Sequence, residues 1–132
     1  MKIGHVAIWT NKLEPLKDYY VKFFNGSSNN KYSNPSKNFE SYFISFESGA
    51  QLELMSRPDI LDNDSENHTE QHLGLAHLAF EVANKKMVDE KAKELQNAGF
   101  PILSGPRITG DGYYEFETLD PDGNRVEVTC KN

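Results

Sequence analysis

Two histidines and two glutamates of this chain have the residue types and the order of a metal-binding set. His5 is followed by Glu53, and His77 is followed by Glu127, so the order His then Glu occurs twice. Neutral imidazole nitrogens and ionised carboxylate oxygens are common ligands of divalent first-row ions. Four such ligands with added water suit octahedral Ni²⁺, Co²⁺ or Mn²⁺, or Zn²⁺ in an expanded shell. The residue types therefore point to a divalent metal site.

These four residues belong to a sequence repeat. The string HVAI that begins at His5 matches the string HLAF that begins at His77, 72 residues later. The string GAQLEL matches GNRVEV, which aligns Glu53 with Glu127 at a spacing of 74 residues. A lone His or Glu in a strand is more often a structural or solvent-facing residue. Duplicated positions in a duplicated unit instead favour a shared role in metal binding.

Each copy of the repeat predicts the same order of elements. Apolar, β-prone stretches lie at 3–9 and 75–82, and helical spacing of apolar residues follows at 13–24 and 86–98. Gly26 and Gly99 stand where glycines that end helices belong. Three strand-like stretches then follow in each copy, at about 29–33, 40–47 and 51–55 in the first and at about 101–107, 113–119 and 125–130 in the second. The pattern is β-α-β-β-β, twice.

A polar, aperiodic stretch separates the two copies. The sequence therefore predicts one domain over residues 1–132, with module 1 at about 1–57, a linker at 58–73 and module 2 at about 74–132. His68 and His72 fall in this linker, where we expect solvated loop histidines rather than metal ligands.

Strand alternation predicts that the four candidate ligands share one side of the sheet, because neighbours in a strand point to opposite faces. The helix of each module must cover an apolar face, which assigns to the core Val6, Ile8, Leu52, Leu54, Leu78, Phe80, Val126 and Val128. The candidate ligands then lie on the other face and converge if the sheet curls. A buried carboxylate without a partner is costly, and a bound cation removes that cost.

Composition and charge exclude several classes of function. The net charge of −6 at pH 7 argues against a nucleic-acid partner, which would require clustered Lys and Arg. No apolar run approaches the roughly 18–20 residues that span a bilayer, and the N-terminus lacks a secretory cleavage pattern. Cys130 is the single cysteine, so no internal disulfide can form. We expect a cytoplasmic protein with neither membrane nor nucleic-acid partners.

The repeated motifs resemble the vicinal oxygen chelate superfamily, which includes glyoxalase I, extradiol dioxygenases and bleomycin-sequestering proteins. The resemblance rests on HVAIWT and HLAFEV at the start of the halves, on LEL at 52–54 and, most specifically, on DPDGNRVEV at 120–128. It implies an α+β fold in which tandem βαβββ modules form a curled, cup-like mixed sheet. The ligand order His5, Glu53, His77 and Glu127 is similar to that of small bacterial lactoylglutathione lyases.

The resemblance implies a metal-dependent lyase or isomerase of the glyoxalase I type. Such enzymes convert the hemithioacetal of a 2-oxoaldehyde and a thiol to a 2-hydroxyacyl thioester through a metal-stabilised enediolate. Glu127 is the expected catalytic base that moves a proton between adjacent carbons, and Glu53 is its counterpart. The resemblance also implies a homodimer with sites at the interface. Each site would hold one Ni²⁺ or Zn²⁺ ion, with Co²⁺ or Mn²⁺ as alternatives.

Two positions depart from the glyoxalase pattern. Glyoxalases usually carry there an Arg and an Asn that bind glutathione carboxylates, and this chain has Trp9 and Arg57. Trp9 either walls an apolar substrate pocket or belongs to the core, and Arg57 either binds a carboxylate or caps the SRPD turn. Arg107 and Tyr114 are further candidates for substrate contact at the cavity rim. Two alternative functions stay open: an epimerase or thiol transferase of the superfamily, such as a fosfomycin-resistance enzyme, and a small-molecule-binding resistance protein.

Overall fold

The structure is a computed structural model that describes residues 1–62 and 68–132, so residues 63–67 of the predicted linker lie outside the described residues. The chain divides into two compact units, one on each side of that gap. Among the described residues, each unit contains one α-helix and its own mixed sheet, so the protein is of the α+β class. Neither α-helix has the length and apolar composition needed to cross a membrane.

The described part of unit 1 contains five strands, one α-helix and a short 3₁₀ helix. Its elements are β1 (His5–Trp9), α1 (Leu13–Phe24), β2 (Ser27–Ser28), β3 (Tyr32–Asn34), the 3₁₀ helix (Pro35–Lys37), β4 (Phe39–Ser45) and β5 (Gln51–Ser56). The sheet order is β1-β5-β4-β2, and β3 pairs separately with β4. β1 runs parallel to β5, and the other pairs are antiparallel.

The predicted strand at 29–33 is wrong as a single element, because the chain forms two short strands, β2 before this range and β3 overlapping its end. Asn29 accounts for the interruption. Its side-chain oxygen accepts the backbone N–H of Phe43 at 2.8 Å. An amide side chain that occupies a donor of the neighbouring strand competes with the regular ladder.

Unit 2 has the β-α-β-β-β order that the sequence predicts. Its elements are β6 (Leu78–Glu81), α2 (Lys85–Asn97), β7 (Ile102–Ile108), β8 (Tyr113–Leu119) and β9 (Arg125–Lys131). The sheet order is β6-β9-β8-β7, with β6 parallel to β9 and the other pairs antiparallel. In both units the first strand therefore pairs in parallel with the last.

The core of each unit lies between its helix and one face of its sheet. The helices bury apolar residues at helical spacing: Leu13, Leu16, Tyr20 and Phe23 in α1, and Val88, Ala92 and Leu95 in α2. The sheets bury Leu52, Leu54, Val126 and Val128, as predicted. The other predicted core residues, Val6, Ile8, Leu78 and Phe80, are only half-buried, since β1 and β6 are edge strands.

The two helices end differently. Gly99 follows α2 with φ of +92°, which is the left-handed conformation expected after a helix. At the end of α1 the left-handed residue is Asn25, with φ of 54°, and Gly26 comes after it. Gly26 is needed instead for close packing, because a Cβ there would lie 2.5 Å from Cγ2 of Ile44.

The turn that leads into β9 is held by one buried carboxylate. Asp120 is 4% exposed, and its Oδ1 accepts the backbone N–H groups of Asp122 and Asn124, each at 2.9 Å. Its Oδ2 accepts the Asn124 side-chain amide at 2.9 Å. These bonds, together with a φ of +82° at Gly123, give the DPDGN motif its physical role. The motif fixes where β9 begins and therefore where Glu127 lies.

Candidate functional site

In unit 1 the parallel pairing of β1 with β5 brings His5 next to Glu53. Ala7 lies opposite Glu53 in the register, and His5 is two residues earlier on the same face. The His5 Nε2 atom is 3.4 Å from Glu53 Oε2. The imidazole is half exposed, at 51%, while the carboxylate is largely buried, at 16%. The face opposite the helix-covered side of this unit therefore carries a His–Glu pair.

In unit 2 the same arrangement recurs. Ala79 lies opposite Glu127, and His77 immediately precedes β6, two residues before Ala79. The His77 Nε2 atom is 3.6 Å from Glu127 Oε2, and the carboxylate is 13% exposed. Strand alternation predicted that each His and its Glu share this face, and the parallel strand pairing makes them neighbours. That the two pairs supply ligands to one ion stays a prediction.

Sequence reasoning missed a third carboxylate beside the second pair. Glu117 of β8 lies opposite Glu127 of β9. One ligand atom from each of His77, Glu117 and Glu127 can be chosen so that all three lie within 4.8 Å of one another. The alternation in YYEFETL, which puts Glu115 and Glu117 on one face, is the signal that could have found it. The missing information was the register of the β8–β9 hairpin.

The carboxylates of unit 2 make the site electrostatically negative. Burial raises the pKa of the Glu127 carboxyl, and the neighbouring Glu115 and Glu117 raise that pKa further, while His77 opposes them. Arg125 Nη1 pairs with Glu117 Oε2 at 2.9 Å, and Arg107 Nη2 lies 3.9 Å from Glu115 Oε1. These two arginines face three carboxylates, so negative charge is in excess around Glu127.

The residues of both pairs fit a divalent cation. Each pair offers one imidazole nitrogen and one carboxylate oxygen, which is a suitable donor set for Ni²⁺, Zn²⁺, Co²⁺ or Mn²⁺. The pKa of Glu127 is raised because its ionised form is unfavourable in this environment without a cation. A positive ion close to this carboxylate would relieve both the burial cost and the repulsion from Glu115 and Glu117.

Trp9 and Arg57 lie together at one end of the His5 face. Trp9 is 41% exposed, which places it outside the core, and the Arg57 guanidinium lies 5.3 Å above its ring. Arg57 Nε also pairs with Asp59 Oδ1 at 2.5 Å, so it stabilises the SRPD turn. Both residues line a groove. These contacts leave room for substrate binding at Trp9, while part of the Arg57 charge is already balanced by Asp59.

The two remaining candidates lie on opposite faces of the unit 2 sheet. Arg107 is exposed and near Glu115, on the side that carries Glu117 and Glu127. Tyr114 shares the helix-covered face with the buried Phe116, and its hydroxyl donates to Asp89 Oδ1 on α2 at 2.8 Å. The expectation that Tyr114 contacts substrate does not fit this placement. Its side chain instead links β8 to α2 through this hydrogen bond.

Both linker histidines, His68 and His72, are exposed. His72 Nε2 lies 3.7 Å from Glu70 Oε2, and both side chains are more than half exposed, at 66% and 59%. The His68 ring packs directly against Gly123 in the DPDGN turn. His68 therefore has a packing contact, which the sequence did not predict.

Comparison with known families gives a match over nearly the whole chain. The model of the Glyoxalase/Bleomycin resistance protein/Dioxygenase superfamily matches residues 2–128. The uncharacterized protein YqjT of Bacillus subtilis is 36% identical over 61 residues, which cover 44% of this chain and 48% of the relative. The matched part therefore spans about half the length of that relative.

Solved structures share the fold over the full length. The glyoxalase family protein from Enterococcus faecalis is 25% identical with a TM-score of 0.75, covering 97% of this chain and 96% of that chain. Lactoylglutathione lyase from Agrobacterium tumefaciens is 22% identical with a TM-score of 0.69, covering 97% and 92%. The trypanothione-dependent glyoxalase I of Leishmania major is 18% identical with a TM-score of 0.74, covering 97% and 85%. At these identities the last two show the fold alone.

Proposed function

Because the chain belongs to the Glyoxalase/Bleomycin resistance protein/Dioxygenase superfamily, we propose that it is a metal-dependent lyase or isomerase of the glyoxalase I type. Its substrate is the hemithioacetal of a 2-oxoaldehyde and a thiol, and its product is a 2-hydroxyacyl thioester. The observation that carries the proposal is the recurrence of one His–Glu pair at matching positions, with separations of 3.4 Å for His5–Glu53 and 3.6 Å for His77–Glu127.

In this proposal His5, Glu53, His77 and Glu127 are the protein ligands of one divalent ion. Ni²⁺ and Zn²⁺ are the ions we propose first, and Co²⁺ and Mn²⁺ suit the same donors. The bound ion supplies Lewis acidity that polarises the two adjacent oxygens of the substrate. The superfamily binds small molecules and commonly forms dimers, and we propose a homodimer for this chain, to be checked by light scattering.

Glu127 is the residue that we propose as the base. The reaction moves one proton between adjacent carbons, so the same group must first accept that proton and then return it. Its burial and its carboxylate neighbours raise the pKa of Glu127 toward the working pH, which favours both halves of such a transfer. Glu53 occupies the matching position in unit 1, where Phe43 lies opposite it, so no second carboxylate faces it across the strand pair.

A second candidate is another enzyme of the superfamily, either an epimerase or a thiol transferase. The contact between Trp9 and Arg57 favours it, because these residues replace the pair that usually binds glutathione carboxylates. The same metal ligands would then serve a different substrate. A metal-free binding protein is the third possibility, and bound-metal content distinguishes it from both enzymes.

The proposal is tested by measuring metal content and isomerisation on one purified sample. The assay combines methylglyoxal with several thiols, glutathione among them, and adds Ni²⁺ or Zn²⁺ in separate runs. We expect metal-dependent formation of a thioester with at least one thiol, and loss of turnover in Glu127→Gln. Glu47→Gln makes the same chemical change at an exposed loop position and is the matched control. Full turnover in Glu127→Gln would refute its role as the base.

A further inference from the structure

A groove with aromatic walls opens on the surface of unit 1. Its volume is about 300 Å³, and its walls include Trp9, Tyr32 and Phe39. The Phe39 ring meets Trp9 edge-on, with centroids 6.1 Å apart, and lies 6.1 Å from the Tyr32 ring. Trp9 and Tyr32 remain 41% and 53% exposed. The rings of Trp9 and Tyr32 therefore keep part of their flat apolar surface accessible to a ligand.

Two cations, Lys37 and Arg57, line the same groove. Arg57 lies over Trp9 and is paired with Asp59. Lys37, at the end of the 3₁₀ helix, is exposed and forms no ion pair with any residue in 1–62 or 68–132. The chain as a whole carries a net charge of −6 at pH 7. An aromatic groove with an ammonium group that has no ion-pair partner among the described residues is therefore a local exception to the net negative charge of this protein.

The groove lies on the face of the sheet that carries His5 and Glu53. Trp9, Ala7 and His5 alternate along this face of β1, and Ala7 lies opposite Glu53. At the rise of a β-strand, Trp9 is about 7 Å from Ala7 and about 13 Å from His5. A molecule of moderate size can therefore occupy the groove while its other end reaches the His5–Glu53 pair.

We propose that the groove binds an aromatic ring bearing a carboxylate as one part of the substrate, and that the groove is the substrate-recognition part of the proposed metal site. A flat ring fits against Trp9 and Phe39, where aromatic pairs are favourable at these separations. The carboxylate of the same molecule pairs with Lys37 and, secondarily, with Arg57. The groove volume suits one ring with a short acidic chain. The inference names a substrate class and rests on the proposed function for its link to catalysis.

Trp9 is the single tryptophan of the chain, so its fluorescence reports directly on the groove. The test titrates metal-free protein with phenylacetate, phenylacetamide and acetate and follows the Trp9 emission. We expect saturable quenching by phenylacetate and binding that is about tenfold weaker for phenylacetamide, which lacks the charge. Acetate, which lacks the ring, should not saturate in the same concentration range. Equal binding of phenylacetate and phenylacetamide, or no saturation by phenylacetate, would overturn the inference.

Two matched variants locate the carboxylate contact. Lys37→Gln removes the ammonium group and should weaken phenylacetate binding about tenfold. Lys93→Gln makes the same change on the exposed side of α2 and should leave binding unchanged. Equal affinity in the two variants would contradict the assignment of Lys37.

A third variant separates this inference from the proposed function. His5→Ala removes a proposed metal ligand, so it should lower the metal content but retain phenylacetate quenching. Quenching without any metal binding in the wild type would refute the proposed function and leave the groove assignment standing. Metal binding without quenching would refute the groove assignment and leave the proposed function standing.

Discussion

Glu117 lies directly opposite Glu127 across the antiparallel pair of β8 and β9. The matching position in unit 1, opposite Glu53, is held by Phe43, whose ring packs edge-on against His5 with centroids 5.5 Å apart. One His–Glu pair thus has a carboxylate beside it, and the other has an aromatic ring. Because the surroundings differ in charge, the two pairs should contribute unequally to metal affinity and to proton transfer.

Replacing Glu117 by Gln is expected to weaken binding of Ni²⁺ or Zn²⁺ by about 10- to 100-fold, the range typical of groups that support metal ligands. The variant removes a negative charge next to Glu127 and changes the partner of Arg125, which pairs with Glu117 at 2.9 Å. Isothermal titration of metal-free protein measures the affinity. Glu47→Gln should bind metal like the parent, and an unchanged affinity in Glu117→Gln would show that this carboxylate takes no part.

Replacing Glu127 by Gln is expected to stabilise the metal-free protein near neutral pH. Burial and two neighbouring carboxylates raise the pKa of Glu127, so its ionised form is disfavoured in the folded state. The neutral amide removes this cost while keeping the size of the side chain. Urea unfolding in the presence of a chelator measures the free energy of unfolding. Added metal should then stabilise the wild type and have little effect on the variant.

The stability difference between wild type and Glu127→Gln should depend on pH. For a carboxyl whose pKa is raised by folding, the stabilising contribution is fully present below the unfolded pKa of about 4.5 and is lost as the pH rises through the folded pKa. The two proteins should therefore converge in stability as the pH falls toward that value. A variant that is less stable than the wild type at neutral pH in chelator would contradict the assigned direction of the shift.

The sequence predicted which face of the sheet carries the two histidines and the two glutamates, because face placement depends on local patterns. Alternation puts His5 and Trp9 on one face of a strand, and helical spacing determines which face the helix covers. The pairing of the first strand with the last then brings Glu53 and Glu127 next to the histidines. Two short apolar-flanked motifs in each half were enough to predict the shared face, but not this strand pairing.

The positions of Glu117 and Tyr114 relative to the site could not be predicted from the sequence, because they depend on the register of the β8–β9 hairpin. A shift of one residue exchanges the two faces of a strand. The register of β8 against β9 is set by the turn that Asp120 holds through backbone hydrogen bonds. Without those bonds, YYEFETL gave no way to decide which tyrosine faces the helix or which glutamate faces Glu127.

Replacing Tyr114 by Phe tests its placement against α2. The variant loses the hydrogen bond to Asp89, which measures 2.8 Å, and should lower the free energy of unfolding by about 1 kcal/mol. Metal affinity and turnover should stay unchanged, since the side chain points away from the His–Glu pair. Tyr32→Phe, which removes an exposed hydroxyl, is the control for stability. A loss of turnover in Tyr114→Phe with unchanged stability would instead support the expectation that Tyr114 contacts substrate.

Replacing Gly123 by Ala tests how the turn before β9 supports Glu127. The φ of +82° is unfavourable for alanine, and the new Cβ would also overlap the His68 ring. The conformation alone should cost about 1–2 kcal/mol of stability. Gly112→Ala has φ of +90° in open space and isolates that cost, while Gly110→Ala lies in open space without a positive φ and should be nearly neutral. Adding His68→Ala to Gly123→Ala should recover any loss beyond that of Gly112→Ala, as measured by urea unfolding. If the double variant recovers no stability, the His68 ring moves away from the new Cβ without a loss of stability.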